Sequence, residues 1–255
     1  MTPGTVCARA LPFRRAAQRT DLLASISLSP LDLAALLCSR VCHDVISPVG
    51  AIINGLEVLE SEKTEDMRAV AMELIKKSAE SASARLQYCR LAFGASGSLN
   101  AAIDTGDAEH VAKGLLSNDR TKLEWNVARR LEPKTTVKLL LNMCLIAAAA
   151  APRGGTIAVD LQGEGEATAI QVTAKGPNAR LSHTAANFLS AGSADAVDAH
   201  SIQLHYTTLL AEQCGMAIEV AQAPESVILT AKRPSQPGIA AAVEALPDSE
   251  NSAAL

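Results

Sequence analysis

His43 and Asp44 stand side by side in "LLCSRVCHDVISPVGAIINGLEVLE", residues 36–60, with Pro48 one turn further on. An unperturbed imidazole titrates at about pH 6.5, so near neutrality it offers an unprotonated nitrogen. A neighbouring carboxylate can accept a hydrogen bond from the other ring nitrogen, set the tautomer and stabilise a cationic product. Together they suit nucleophilic catalysis. The alternatives are a histidine packed in a helical core or one lying inert on a surface.

Helix arithmetic separates these readings. Cys38, Cys42, Val45, Val49, Ile52, Leu56 and Leu59 follow one another at alternating four- and three-residue spacings. That is a coiled-coil-like seam. At about 100° per residue the seam spans about ±50°, and His43 projects about 150° away from it. Ser47, Gly50 and Asn54 fall on the same outer face as His43, with Arg40 beside it, and Ile53 lies off the seam by about 80°. An outer face of small residues admits a close partner. Pro48 is an interior helix proline, which removes a backbone hydrogen bond and clashes with residue i−4, here Asp44, so a bend is expected one turn from the histidine.

The elements that position these residues can be read from the same patterns. Ser29-Pro30 is a capping serine followed by proline at the first helical position, and the helix pattern continues to about Ser61. Thr64 or Ser61 can cap a second helix over about 65–93, with Met67, Ala71, Leu74, Ala82, Leu86, Cys89 and Phe93 as its apolar set. Two long helices with a short connection predict an antiparallel hairpin. One hairpin cannot bury its own stripe, so a four-helix bundle formed by dimerisation is expected. Residues 29–95 are assigned to this hairpin.

From 100 to 233 the texture changes. Helices are predicted in "DAEHVAKGLL", "TVKLLLNMCLIAAAAA", "LSHTAANFLS" and "AHSIQLHYTTLLAEQCG". "KLEWNV" reads as a strand, "GGTIAVDLQGEGEATAIQVTAKG" as two strands around a Gly/Glu turn, and "MAIEVAQAPESVILTAK" as a closing hairpin. Helices alternating with antiparallel hairpins predict an α+β sandwich, one sheet under a helical layer. Residues 1–28 read as disordered or as a start codon placed too early, and 234–255 as a disordered tail.

Composition excludes several classes. The chain has 255 residues, 48% hydrophobic but only 2% aromatic, so its core must be Ala, Leu, Val and Ile. The net charge is −4. Without basic excess or aromatic platforms, direct nucleic-acid binding is not expected. Cys7, Cys38, Cys42, Cys89, Cys144 and Cys214 contain no C-x-x-C and read as small buried hydrophobes in a reducing compartment. The longest strongly apolar run, "MCLIAAAAA", is too short to cross a bilayer, so a cytoplasmic protein without a membrane span is expected. His110, His183, His200 and His205 have no ligand spacing and read as structural. No metal site is expected.

"HDVISPVGAIINGLEVLE" resembles the phosphoacceptor helix of bacterial histidine kinases, whose motif is H-[ED]-x-x-x-P. With "CHDVISPVG" and the ending "RLAFGAS" of the second helix, the likeness over about residues 30–233 is closer to the ChpT-type histidine phosphotransferases. The resemblance implies a kinase-like dimerisation hairpin followed by a degenerate ATPase-like sandwich of the GHKL (Bergerat) type. It places the phosphorylated histidine at His43, the adjacent acid at Asp44 and the kink proline at Pro48, with Ser47 where many kinases carry Thr or Asn.

The same resemblance locates the parts an ATP site would need. The metal-binding asparagine position falls on Ile146, with Asn142 at an upstream motif position. Isoleucine cannot coordinate a hard cation. In "AKGPN", Ala174 replaces the adenine-binding aspartate and Asn178 the last glycine. The lid glycines align near "AHSIQL", which has none. The expectation is a protein that does not bind ATP.

The motif and the missing ATP-site parts together imply a phosphotransferase. It would take phosphate on His43 from a receiver-domain aspartate and pass it to a second receiver. Mg²⁺ is expected in the receiver's acidic pocket rather than in this chain. Arg40, Gly50, Ile53 and Asn54 are expected in the docking face. By resemblance, the donor is a hybrid kinase of the CckA type, and the acceptors are CtrA-like and CpdR-like response regulators. An active sensor-type kinase and a non-catalytic receiver-binding scaffold are the alternatives.

Overall fold

The Ser29 hydroxyl accepts a hydrogen bond from the Asp32 backbone N–H at 3.1 Å, and Pro30 occupies the first helical turn, so α1 (Pro30–Ser61) starts at the expected cap. The computed structural model describes residues 28–94, 101–191, 197–198 and 201–234. Most of 1–28, all but the first residue of 234–255, the 95–100 junction, Cys7 and His200 lie outside the described residues. α1 is continuous through Pro48. The turn after α1 is organised by Glu62, whose carboxylate accepts from the backbone N–H groups of Lys63 and Thr64. These bonds hold the Glu62 carboxyl below its ordinary value. α2 (Glu65–Ala92) returns antiparallel to α1, and Thr64 makes no side-chain cap bond.

The line along which α2 covers α1 differs from the expected seam. Pro48 and Gly55 are the fully buried residues of α1, while Cys38, Cys42, Val49 and Leu56 of the seam remain exposed. Val45, Ile52 and Leu59 are half-buried. The cause is side-chain size. α2 presents the small residues Ala71, Ser78 and Ala82, and a Cβ added to Gly55 would sit 2.6 Å from Ile75 Cγ1. Small residues allow close approach, so α2 settles on the Pro48–Gly55 line. Pro48 is therefore buried in the hairpin. Of the cysteines expected to be buried, Cys38 and Cys42 are exposed and Cys214 is half-buried, whereas Cys89 and Cys144 are buried. α1 is also long and apolar enough by length and composition to cross a membrane, which the apolar runs of the sequence did not suggest.

The rest of the chain is an α+β layer structure. β1 (Ala102–Asp104) leads into α3 (Thr105–Leu116), β2 (Thr121–Trp125), β3 (Leu131–Pro133) and α4 (Lys134–Ala150). β4 (Gly155–Gln162) and β5 (Ala169–Lys175) form the expected hairpin around a short 3-10 turn, Gly165–Ala167. α5 (His183–Ala191), α6 (Ile202–Gln213), β6 (Ala217–Ala223) and β7 (Ser226–Lys232) complete it. The sheet order is β2-β4-β5-β7-β6. Its pairings are antiparallel except one: β2 runs parallel to β4, joined through the α4 crossover. β1 and β3 form a separate two-stranded ribbon. Neither feature follows from the reading of alternating antiparallel hairpins: the three-residue strands β1 and β3 carry no periodicity to read, and the β2–β4 pairing is chosen by partners distant in sequence.

The core lies between α3, α4, α5 and α6 and the sheet, and it is largely aliphatic. It also takes in the end of the hairpin. Tyr88 and Ala92 are fully buried in it, and the Tyr88 hydroxyl donates to the Leu141 carbonyl at 2.6 Å. Asn142 Nδ2 donates to the Ala92 and Lys138 carbonyls, and Gln203 Nε2 donates to the Asn142 carbonyl at 2.9 Å. Buried polar groups need partners, and here the partners tie α2, α4 and α6 together. Hairpin and sandwich share one joint.

Candidate functional site

His43 lies near the middle of α1 with its side chain 65% exposed, as the helix arithmetic predicts. Its Nδ1 is 3.4 Å from Asp44 Oδ1. The other oxygen, Oδ2, accepts from Arg40 Nε at 3.0 Å. Asp44 is half-buried at the edge of the α1–α2 contact, so one carboxylate is shared by an imidazole and a guanidinium. Catalytic hydrogen bonds are often long in an unliganded protein and tighten when charge develops.

The remaining expected site residues divide into two groups. Ser47, Ile53 and Asn54 are exposed on the His43 side of α1, and a Cβ added to Gly50 would meet nothing within 4 Å. Ile53 is 52% exposed, so it is not a core edge. Arg40 departs from the expectation of an outward docking residue. Its side chain is only 27% exposed and turns back to Asp44. Pro48, in turn, is buried.

Behind Asp44 the structure adds residues no sequence pattern pointed to. A cleft of about 200 Å³ is lined by Arg40, Asp44, Arg85 and Cys89 of the hairpin and by Leu115 and Leu145 of α3 and α4. Burial pushes the Cys89 thiol up to about 11, and the Asp44 carboxylate pushes the same way. Cys89 is thus a packing residue there, since only a thiolate is reactive. The α/β region thus supplies an apolar wall to the cleft behind Asp44.

The positions where a nucleotide site would lie are occupied by core. Ile146 is 2% and Ala174 0% exposed, both within the main hydrophobic cluster. Asn142, fully buried, is committed to the α2–α4–α6 joint. Asn178 is exposed with φ 59°, in the left-handed region that asparagine tolerates. Of the other histidines, His205 packs edge-on against Phe188, and burial lowers its pKa. His183 Nδ1 lies 3.2 Å from Asn187 Nδ2, and His110 lines a groove between α2 and α3. Among the described residues no group of three His, Cys, Asp or Glu side chains is arranged to hold a metal ion.

Comparison with known proteins agrees with this architecture. Residues 105–226 match the family model described as "Histidine phosphotransferase C-terminal domain". The chain is 49% identical over 211 residues to the protein phosphotransferase ChpT of Brucella abortus (strain 2308), covering 81% of this chain and 98% of that one. A solved structure of a bacterial phosphotransferase superposes with a TM-score of 0.75 at 47% identity, covering 82% of this chain and 99% of that one. With identity of this level across most of both chains, the helical hairpin joined to its α+β layer belongs to the ChpT family of histidine phosphotransferases, enzymes of a phosphorelay.

Proposed function

We propose that His43 is the residue that carries the phosphoryl group. The observation that supports this most directly is the pairing of an exposed imidazole with Asp44 at its Nδ1. With Nδ1–H donating to Asp44, the nucleophile is Nε2. Its lone pair attacks the phosphorus of an aspartyl phosphate on a receiver domain, a new N–P bond forms, and the P–O bond to the aspartate breaks. The carboxylate leaves on the receiver, and Asp44 stabilises the imidazolium formed. The reverse step on a second receiver returns the neutral imidazole. Positioning and charge stabilisation supply most of the catalysis in such transfers. Mg²⁺ belongs to the receiver in this scheme.

The docking face is the outer side of α1, with Ser47, Gly50, Ile53 and Asn54 against the receiver. The donor receiver belongs to a hybrid kinase of the CckA type and the acceptors are CtrA-like and CpdR-like regulators. ATP does not bind, a reading supported by apolar Ile146 and Ala174 inside the core. The protein works as a homodimer. The exposed stripe of Cys38, Cys42, Val49 and Leu56 supports this, continued on α2 by Leu74 and Leu86. A second hairpin would cover it as a four-helix bundle. The same stripe explains the apolar length of α1 without a membrane, since Arg40, His43 and Asp44 near its middle would be costly in hydrocarbon. The location is the cytoplasm.

One assay tests the central step. Phosphorylated receiver is mixed with the protein, and label is followed onto the protein and then onto a second receiver. Label is expected on His43, and none in His43→Ala, which should keep its thermal stability because the side chain is exposed. Transfer that persists in His43→Ala would overturn the proposal. Labelling from ATP alone would favour an active kinase.

A further inference from the structure

Adjacent residues on a helix do not face one another. Their side chains diverge by about 100°, and contacts form at three- and four-residue spacing instead. The His43–Asp44 contact therefore needs something to hold the carboxylate toward the histidine. Arg40 is the i−4 neighbour of Asp44, and on the helix surface it lies between the two, about 40° from Asp44 and about 60° from His43. Its Nε is 3.0 Å from Asp44 Oδ2, and Oδ1 is then the oxygen 3.4 Å from His43 Nδ1.

Exposure separates this arrangement from a docking role. The Arg40 side chain is 27% exposed against 65% for His43. It lies over the cleft whose apolar wall comes from Leu115 and Leu145. A partly buried pair is less screened by salt than a surface pair. The terminal χ torsion of aspartate is broad, so an unrestrained carboxylate would rotate between its own helix and solvent.

We propose that Arg40 is a positioning residue for phosphoryl transfer: by bonding Asp44 Oδ2 it holds Oδ1 on His43 Nδ1, which keeps the Nδ1–H tautomer and presents Nε2 to the donor. The inference rests on the reading of His43 as the phosphoryl carrier. It differs from a docking role in one respect, because a positioning residue acts whatever the donor is.

The experiment uses the full chain and two readouts. The first is ¹⁵N NMR of the His43 ring, which needs no donor. The wild-type protein is expected to show the Nδ1–H tautomer, and Arg40→Gln to lose that preference. The second is the phosphorylation rate with phosphoramidate, a small donor that makes no docking contacts. Arg40→Gln is expected to slow it about tenfold, the scale seen for partners that orient a working imidazole. Arg40→Lys should recover part of both. In the Asp44→Asn background, Arg40→Gln should add nothing, since the two act as one unit. An unchanged tautomer in Arg40→Gln overturns the proposal. So does additivity with Asp44→Asn, or a loss seen with a receiver donor only as a higher half-saturating concentration. If the wild-type tautomer is as expected but His43 never carries phosphate, the reading of His43 fails and not the positioning by Arg40.

Discussion

The helical hairpin and the α/β region draw on the same aliphatic side chains, yet one leaves them open and the other closes over them. Among the described residues, every large hydrophobic side chain that is clearly exposed lies on α1 or α2, except Leu131. In the α/β region α4 alone buries Leu139, Leu140, Leu141, Met143, Cys144 and Ile146 to within 2% of full burial. The difference has a physical origin. A sheet with helices packed on it buries its stripes internally. A pair of helices touching through Pro48, Gly55, Ala71 and Ala82 covers only part of its stripe. His43 sits on the half whose apolar stripe stays open, and the closed half is tied to the hairpin through Tyr88.

The sharpest way to break this contrast is to charge the open stripe. In Val49→Asp with Leu56→Glu, each charge would be buried unpaired in the proposed dimer, at a cost of about 3–5 kcal/mol. The dissociation constant, read by sedimentation, should rise at least about a hundredfold. The far-UV circular dichroism of the α/β region should persist. A double variant that stays dimeric at wild-type affinity would place the interface elsewhere.

The joint is the next test. Tyr88→Ala should destabilise the protein by about 3–5 kcal/mol in denaturant unfolding, because it empties a fully buried site. Tyr88→Phe should cost only about 1 kcal/mol, the worth of one hydrogen bond. A Tyr88→Ala variant of normal stability would mean the hairpin folds independently of the sheet. Gly55→Val probes the hairpin contact itself. Overpacking against Ile75 should cost about 1–3 kcal/mol, and it should also disturb the stripe that surrounds it.

The smallest effect concerns pH. Burial lowers the pKa of His205 in the folded state, so the unfolded chain binds the extra proton first. The stability tied to this group is complete above about pH 6.5 and falls as pH drops below it toward the folded value. His205→Gln should flatten that part of the stability–pH curve, measured by thermal unfolding between about pH 5 and about pH 7.5. An unchanged slope would assign the acid sensitivity to other groups.

Local chemistry was legible in the chain. The Ser29-Pro30 cap, the Gly/Glu turn between β4 and β5, and the closing β6–β7 hairpin follow from turn and capping preferences that act over a few residues. The outward direction of His43 follows from the regular helix repeat alone. The parallel pairing of β2 with β4 and the β1–β3 ribbon were not legible, because partners distant in sequence choose register. Nor was the role of Asn142. The family resemblance placed it only at an upstream position of an ATP-site motif, while its buried amide bonds to Ala92 and Lys138 make it a structural joint.

The sequence by itself determined that a histidine beside an acid faces away from an apolar helix stripe, because both facts depend only on spacing along one helix. Tertiary structure decided which part of that stripe is covered, because the small residues of α2 select the Pro48–Gly55 line. It also decided where Arg40 points. A guanidinium on a helix surface can reach solvent, a partner or its i+4 carboxylate, and here Asp44 and the cleft behind it draw Arg40 into the site.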